Sequence, residues 1–412
     1  MASSSGEIVL ASSPDNPITA YDASSGAILA HFKAGSPSPR RGLAVAGNAF
    51  IVASHVSYSH ISTPTASLHL YNFWSPVAFS NLPLPEPVAP LAPSPDGFYI
   101  FCGGVSGYIH ALMLPSGCLL RSFPAHSKPV SCCIINHDAS LLISGGDDGT
   151  ICVFPLIHLL DNGNAHLSIN ALYCFSAHTS SVTAIGASSP MIIISCSLDC
   201  TVKFWSLACK VVNLIRTVQF PCMLRGLALD STESNFYVGG SDGHLYAGVI
   251  KLDGRTRHSG ADAHIVALTP EHKGAVTAVA MTNEGRYLLS ASEDGNVWIW
   301  EVEMGKVVRV FGSGRESISD IVVAKGIRDC SRRGVEYRGP SLGYSGREIS
   351  RPVRELGEME TMLNVVVKDR RRAIDILEGT IETYRRLLRL ILKEAIGGDA
   401  VNNNGNKDEG EE

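Results

Sequence analysis

The sequence predicts an all-β fold made of repeated units of short antiparallel strands, extended at its C-terminus by one long helix. Three observations predict it. Leu141 to Phe154, Ile192 to Trp205 and Tyr287 to Trp300 align with one another without gaps. Each follows a histidine and a strand of alternating character: His126 before Val130–Ile134, His178 before Val182–Ile185, and His272 before Val276–Val279. Alternation at period two, broken by Asp/Gly turns, belongs to short antiparallel strands. Beyond residue 355 the apolar spacing changes to steps of three and four, which is a helical seam.

Weaker copies fill the rest of residues 1–324. Arg41–Val45 opens one, with Phe50–Ala53 and Leu68–Trp74 as later strands. Val88–Phe123, centred on Tyr99–Gly104, supplies the next, and Arg225–Leu229 with Tyr237–Gly243 another. The pattern resembles the WD-repeat β-propeller family, whose unit of roughly 40–45 residues folds into one four-stranded blade. The first blade is incomplete: Ile8–Leu10, Ile18–Tyr21 and Ala27–Phe32 read as second, third and fourth strands with no innermost strand before them. The missing strand follows the last repeat as Ile318–Ala324, so the chain is expected to cross back and close the ring, leaving no exposed sheet edge at the seam. The resemblance thus implies a seven-bladed β-propeller with a C-terminal coiled-coil helix.

Composition narrows the function classes. Hydrophobic residues make up 45% of the 412 and charged ones 18%, so the chain can bury a large core. A net charge of −5 excludes a protein that coats nucleic acid with its whole surface. No run of 18 apolar residues occurs, and the start, Met1-Ala2-Ser3-Ser4-Ser5, lacks the basic and apolar regions of a signal peptide. The 11 cysteines are odd in number and lie in apolar stretches, as reduced core thiols do, which predicts cytosol or nucleus. Charge is uneven: net −6 over 1–324, +5 over a linker at 325–354, zero over 355–396 and −4 over 397–412. The last stretch is expected to be a disordered acidic tail.

The strong repeats share polar positions. They are His126, Ser144 and Asp148 with Phe154; His178, Ser195 and Asp199 with Trp205; and His272, Ser290 and Asp294 with Trp300. A Ser-His-Asp triad is the catalytic reading. Three sets at equivalent places in a structural repeat argue instead for the buried hydrogen-bond chain of WD repeats, which satisfies polar groups inside a packed sheet. Metal binding is not expected. Cys196 and Cys200 have no second pair at zinc spacing, and Cys132 and Cys133 point to opposite faces of one strand. Gly305-Lys306 is followed by Val307, so no phosphate-binding P-loop exists, and no cofactor or small-molecule substrate is expected.

After the Gly/Arg-rich linker, apolar residues recur at Leu356, Met359, Leu363, Val366, Ile374, Leu377, Ile381, Tyr384, Leu388 and Ile391. A helix over 355–396 would be ~63 Å long. Each seam residue gains ~1.5–3 kcal/mol on burial, so the stripe demands a partner surface: a second copy, another protein or its own propeller. The basic run Lys368–Arg372, with Arg332 and Arg333, suits a nuclear-import signal, an RNA contact or a solvated face.

This arrangement resembles one WD-repeat branch, the subunit of the nuclear rRNA-processing complex that matures the large ribosomal subunit, which includes the plant root-initiation-defective type. The most similar stretches are Ser38–Val45 and Ser197–Trp205. The resemblance implies a non-enzymatic assembly factor in the nucleus. It would pair with a large α-helical scaffold subunit, join pre-ribosomal particles and help recruit the AAA ATPase midasin. The helix residues Leu363, Leu377, Ile381, Tyr384, Leu388 and Ile391 become candidates for assembly contacts, including a homodimer. Two other readings are a generic scaffold in signalling or chromatin and a cullin ubiquitin-ligase receptor. The endings Trp205-Ser206-Leu207-Ala208 and Trp300-Glu301-Val302-Glu303 lack the Asp and Arg usual in such receptors.

Overall fold

Every sheet is four strands wide, because each repeat carries two apolar central strands flanked by an inner strand on the axis and an amphipathic outer one. The computed structural model describes residues 6–325 apart from 15–16, 34–37, 48, 58–64, 74, 161–168, 189–190, 209–210, 251–264, 283–284, 313 and 315. The predicted linker beyond Lys325, the helix at 355–396 with its seam residues, and the acidic tail lie outside the described residues.

The first blade holds β1 (Glu7–Ser12), β2 (Ile18–Asp22) and β3 (Ile28–Phe32), and the second β4 (Leu43–Ala46), β5 (Phe50–Ser57), β6 (Thr65–Tyr71) and β7 (Ser80–Leu84). The third is β8 (Val88–Pro93), β9 (Tyr99–Gly104), β10 (Tyr108–Met113) and β11 (Cys118–Pro124). The fourth is β12 (Val130–Ile135), β13 (Leu141–Gly146), β14 (Thr150–Pro155) and β15 (Tyr173–Ser176), with a short helix α1 (Leu156–Leu160) inserted before β15. The fifth is β16 (Val182–Ser188), β17 (Ile192–Ser197), β18 (Thr201–Ser206) and β19 (Asn213–Gln219). The sixth is β20 (Leu224–Leu229), β21 (Asn235–Gly240), β22 (Leu245–Val249) and β23 (Ile265–Leu268). The seventh is β24 (Val276–Met281), β25 (Tyr287–Ser292), β26 (Asn296–Glu301) and β27 (Lys306–Gly312).

The last strand, β28 (Asp320–Lys325), completes the first blade in the order β28-β1-β2-β3. It pairs antiparallel with β1 from Ser12↔Asp320 to Glu7↔Lys325. The strand begins two residues later than Ile318, because Ile318 and Ser319 serve the turn: their amides donate to Ser292 O and Ser12 O. Innermost strands pack in succession from β4 to β24, then β24 on β28 and β28 on β4, so the ring is closed and seven-bladed.

The core is a set of apolar layers between neighbouring sheets. At the seam, Val9, Ala11 and Tyr21 of the first blade meet Leu289, Val297, Ile299 and Phe311 of the seventh. On its other side, Leu10, Ile18 and Phe32 meet Leu43, Ile51 and Tyr71 of the second. Central strands such as β17 are buried on both faces, which is why Ile192-Ile193-Ile194 reads as a continuous apolar run, whereas the outer strand β19 is largely exposed and buries only Val218. Four of the seven inner strands, β12, β16, β20 and β24, are bulged at one position: the ladder skips Ser131, Thr183, Arg225 and Thr277. A bulge kinks the strand and frees its polar groups, and all four lie at the start of the strand, at one mouth of the axial channel.

Candidate functional site

The recurrent histidines and serines come together as hydrogen-bond relays. In the fifth blade the Trp205 indole N–H donates to Ser195 Oγ at 2.9 Å, Ser195 Oγ lies 2.8 Å from His178 Nε2, and His178 Nδ1 lies 2.9 Å from Asp199. An indole N–H only donates, so the serine hydroxyl is free to donate to Nε2, and a neutral imidazole then gives its Nδ1 proton to the carboxylate. The seventh blade repeats this with Trp300, Ser290, His272 and Asp294 at 2.8, 2.8 and 3.1 Å. The fourth blade departs from it. Phe154 cannot donate, and His126 Nδ1 meets Thr150 Oγ1 at 2.8 Å, which passes its own proton to Asp148 at 2.6 Å. Asp148 itself stands 3.4 Å from the ring, while His126 Nε2 keeps Ser144 at 2.8 Å.

Burial lowers the pKa of all three histidines against the opposing pull of the aspartates, which keeps the rings neutral. Burial pushes Asp199 up, but the Thr201 hydroxyl and the His178 ring outweigh it and hold the carboxyl below its usual range. The aspartates also accept the backbone N–H of Ser127, Thr179 and Lys273, so each relay ties a blade's turn to the loop that enters it. Ser144, Ser195 and Ser290 are all 0% exposed, so their hydroxyls meet no substrate. These sets have the atom order of a catalytic triad without its access.

Thr150 and Thr201, at the same position of their aligned repeats, also belong to the relays, each donating to its aspartate at 2.6 Å. The weaker blades use other chemistry at the same radius. Glu86 lies 2.8 Å from His110 Nε2 and accepts the Ser106 amide, while Tyr246 donates to Asp242 at 2.6 Å. These were hidden because they do not recur. Cys132 and Cys133 are both buried and fall in different apolar layers, and no metal-holding group occurs among the described residues.

The bulges organise the channel mouth. The Ser131 hydroxyl donates to Val182 O at 2.5 Å and the Thr183 hydroxyl to Leu224 O at 2.8 Å, linking fourth to fifth and fifth to sixth blades. The tight turn Pro39–Gly42 puts Arg41 at φ 59°, a left-handed conformation uncommon for a non-glycine residue. From there Arg41 reaches across the axis, donating to Ser131 O at 3.3 Å and Arg225 O at 3.0 Å, and Arg40 donates to Thr277 O at 3.2 Å. Arg225 pairs with Glu293, and Asp320 lies buried beneath. Arg41 and Asp320 line a cavity of about 200 Å³ together with Leu91, Ile134, Ile185, Leu227 and Val279.

Comparison with known proteins agrees with this architecture. The WD domain, G-beta repeat, profile matches residues 117–154, 169–206 and 264–301, the three strong repeats. The crystal structure of the computationally designed Ika8 protein superposes with a TM-score of 0.54 at 21% identity over 77% of this chain and 87% of that one, a likeness of fold. Protein ROOT INITIATION DEFECTIVE 3 of Arabidopsis thaliana is 32% identical over 329 residues, 77% of this chain and 72% of its own. The Schizosaccharomyces pombe pre-rRNA-processing protein crb3/ipi3 is 22% identical over 330 residues, 72% of this chain and 71% of its own. With that identity, that coverage and a seven-bladed ring closed by its last strand, the chain belongs to the WD-repeat family that includes ROOT INITIATION DEFECTIVE 3 and the fungal pre-rRNA-processing protein.

Proposed function

We propose that the protein is a non-enzymatic scaffold subunit of a nuclear complex for pre-rRNA processing and large ribosomal subunit assembly. The observation that carries this reading is similarity over about three quarters of the chain to a pre-rRNA-processing protein and, at higher identity, to a plant relative of the same family. In this reading the His-Ser-Asp relays are structural. They pin the turns on one face, and the faces and rim of a rigid ring hold partners in fixed geometry. The partners are a large α-helical scaffold subunit, bound on the propeller rim, and the pre-ribosomal particle, with midasin recruited indirectly. The C-terminal stripe from Leu363 to Ile391 supplies a further assembly contact. Neither the signalling or chromatin reading nor the cullin-receptor reading is favoured by any of these observations. Affinity purification of the tagged chain from nuclear extract tests the proposal. Precursor rRNA and large-subunit assembly factors are the expected co-purifying species; recovery of a cullin adaptor in their place would overturn it.

A further inference from the structure

The mouth of the channel carries more positive charge than its own structure uses. Arg40, Arg41 and Arg225 converge there from the second and sixth blades, and the only carboxylate within 4.0 Å of any of them among the described residues is Glu293, on Arg225. Asp320 contributes a second negative charge from below. A guanidinium has five donors in a rigid fork that matches a carboxylate. Arg40 engages one carbonyl and Arg41 two, so donors remain unused at the mouth. Arg40 keeps access to solvent. Burial first, and then the neighbouring Arg225 and Arg41 charges, pull its pKa down against the opposing pull of Glu293 and Asp320.

The same face is set by the backbone. The amides of Val105, Asp147, Leu198, Ser241 and Glu293 donate to Pro87, Pro129, Ser181, Met223 and Ala275, each just before or at the start of an inner strand. This puts those turns around one rim. On it, Met223 is 45% exposed and sits two residues before Arg225, while Asp147 and Glu293 are exposed acids.

We propose that this mouth binds an acidic side chain of a partner protein, with Arg40 and Arg225 clasping the carboxylate and Met223 taking an apolar neighbour of it. A single carboxylate fits better than a polyanion. The rim acids and the net −6 of residues 1–324 would repel a run of phosphates, whereas the local centre attracts one negative group. Arg41, already committed to two carbonyls that bridge the ring, sets the floor at which the ligand stops. The inference does not depend on which complex the protein joins, because its test uses the purified chain alone.

The full-length chain is panned against a phage-displayed random dodecapeptide library, and the enriched consensus is synthesised with a fluorescein label for anisotropy. An Asp or Glu beside an apolar residue is expected in the consensus. Its Asn or Gln counterpart should bind at least tenfold more weakly to the unaltered protein, and Arg40→Gln and Arg225→Gln should each weaken the acidic peptide by a similar factor. The comparison of acidic and amide peptides on the unaltered protein stands even where a variant fails to fold. A consensus without an acidic residue, equal binding of the two peptides, no enrichment at all, or Arg40-dependent binding of a labelled oligouridylate in place of peptide would each overturn the proposal.

Discussion

Asp320 is buried at the seam, beside the axial cavity, its carboxylate accepting the Ile321 N–H at 2.9 Å. Burial raises its pKa from 3.8 to about 6, with Arg41 and backbone N–H groups only partly offsetting this. A raised acid pKa means that the folded chain holds the proton more tightly than the unfolded one. The stability this contributes is complete below pH about 4, falls as pH rises from about 4 to 6, and is level above, a loss of about 3 kcal/mol. The buried neutral histidines act in the opposite sense, since their lowered pKa values cost stability as pH falls below 6.5. Asp320→Asn isolates the first effect: the variant should gain on the parent by about that amount between pH 4 and 6.5 in urea titrations, and a constant gap would contradict the assignment. At this scale the sequence is legible where residues recur. His178, Ser195, Asp199 and Trp205 announce themselves through their equivalents in other repeats. Arg41 does not, because its partners lie 90 and 184 positions away and are backbone carbonyls, which carry no residue identity.

A blade tolerates loss of part of its relay, and the fourth shows how. Phe154 fills the indole's place and packs on Phe123 with ring centroids 5.0 Å apart, while Thr150 inserts between His126 and Asp148. Trp205→Phe should therefore leave the fifth blade folded and cost about 1 kcal/mol, the worth of one buried hydrogen bond, with some added loss of packing. Equilibrium urea unfolding measures it. Ser195→Ala should cost less in the Trp205→Phe background than in the parent, because the two groups share a bond; simple additivity would mean the indole contact carries nothing. Blade order was legible throughout, since apolar central strands and Asp/Gly turns repeat at similar spacing. Strand ends were less so: β28 starts at Asp320 and not Ile318, because the ladder there depends on a turn to Ser12 that no local pattern encodes. The short helix Leu156–Leu160 was also missed, being too brief to show a helical period.

At the scale of the whole molecule, the ring holds because one sheet is made from both ends of the propeller. β1 pairs with β2 on one side and β28 on the other, so the first blade has its full four strands only when the last strand has returned. Ile321 at 5% and Ala324 at 2% exposure sit in the layers beside β24 and β4, and the Ser12 and Ser319 hydroxyls meet at 3.0 Å. Burying the Ile321 side chain alone is worth about 1.5–3 kcal/mol. Deleting residues 320–325 removes this, strips the inner edge of β1 and takes away the carboxylate beneath Arg41. The other six sheets keep all four strands, so the deletion should not unfold them outright. It should instead broaden and lower the thermal transition and, because an unpaired apolar strand edge recruits another, produce concentration-dependent oligomers in light scattering. A synthetic peptide spanning 318–325, added in excess, should restore the single sharp transition by occupying the vacant edge. A deletion variant that stays monomeric with an unchanged midpoint would mean that the seam is held by blade-to-blade packing alone, and that the returning strand follows closure without causing it.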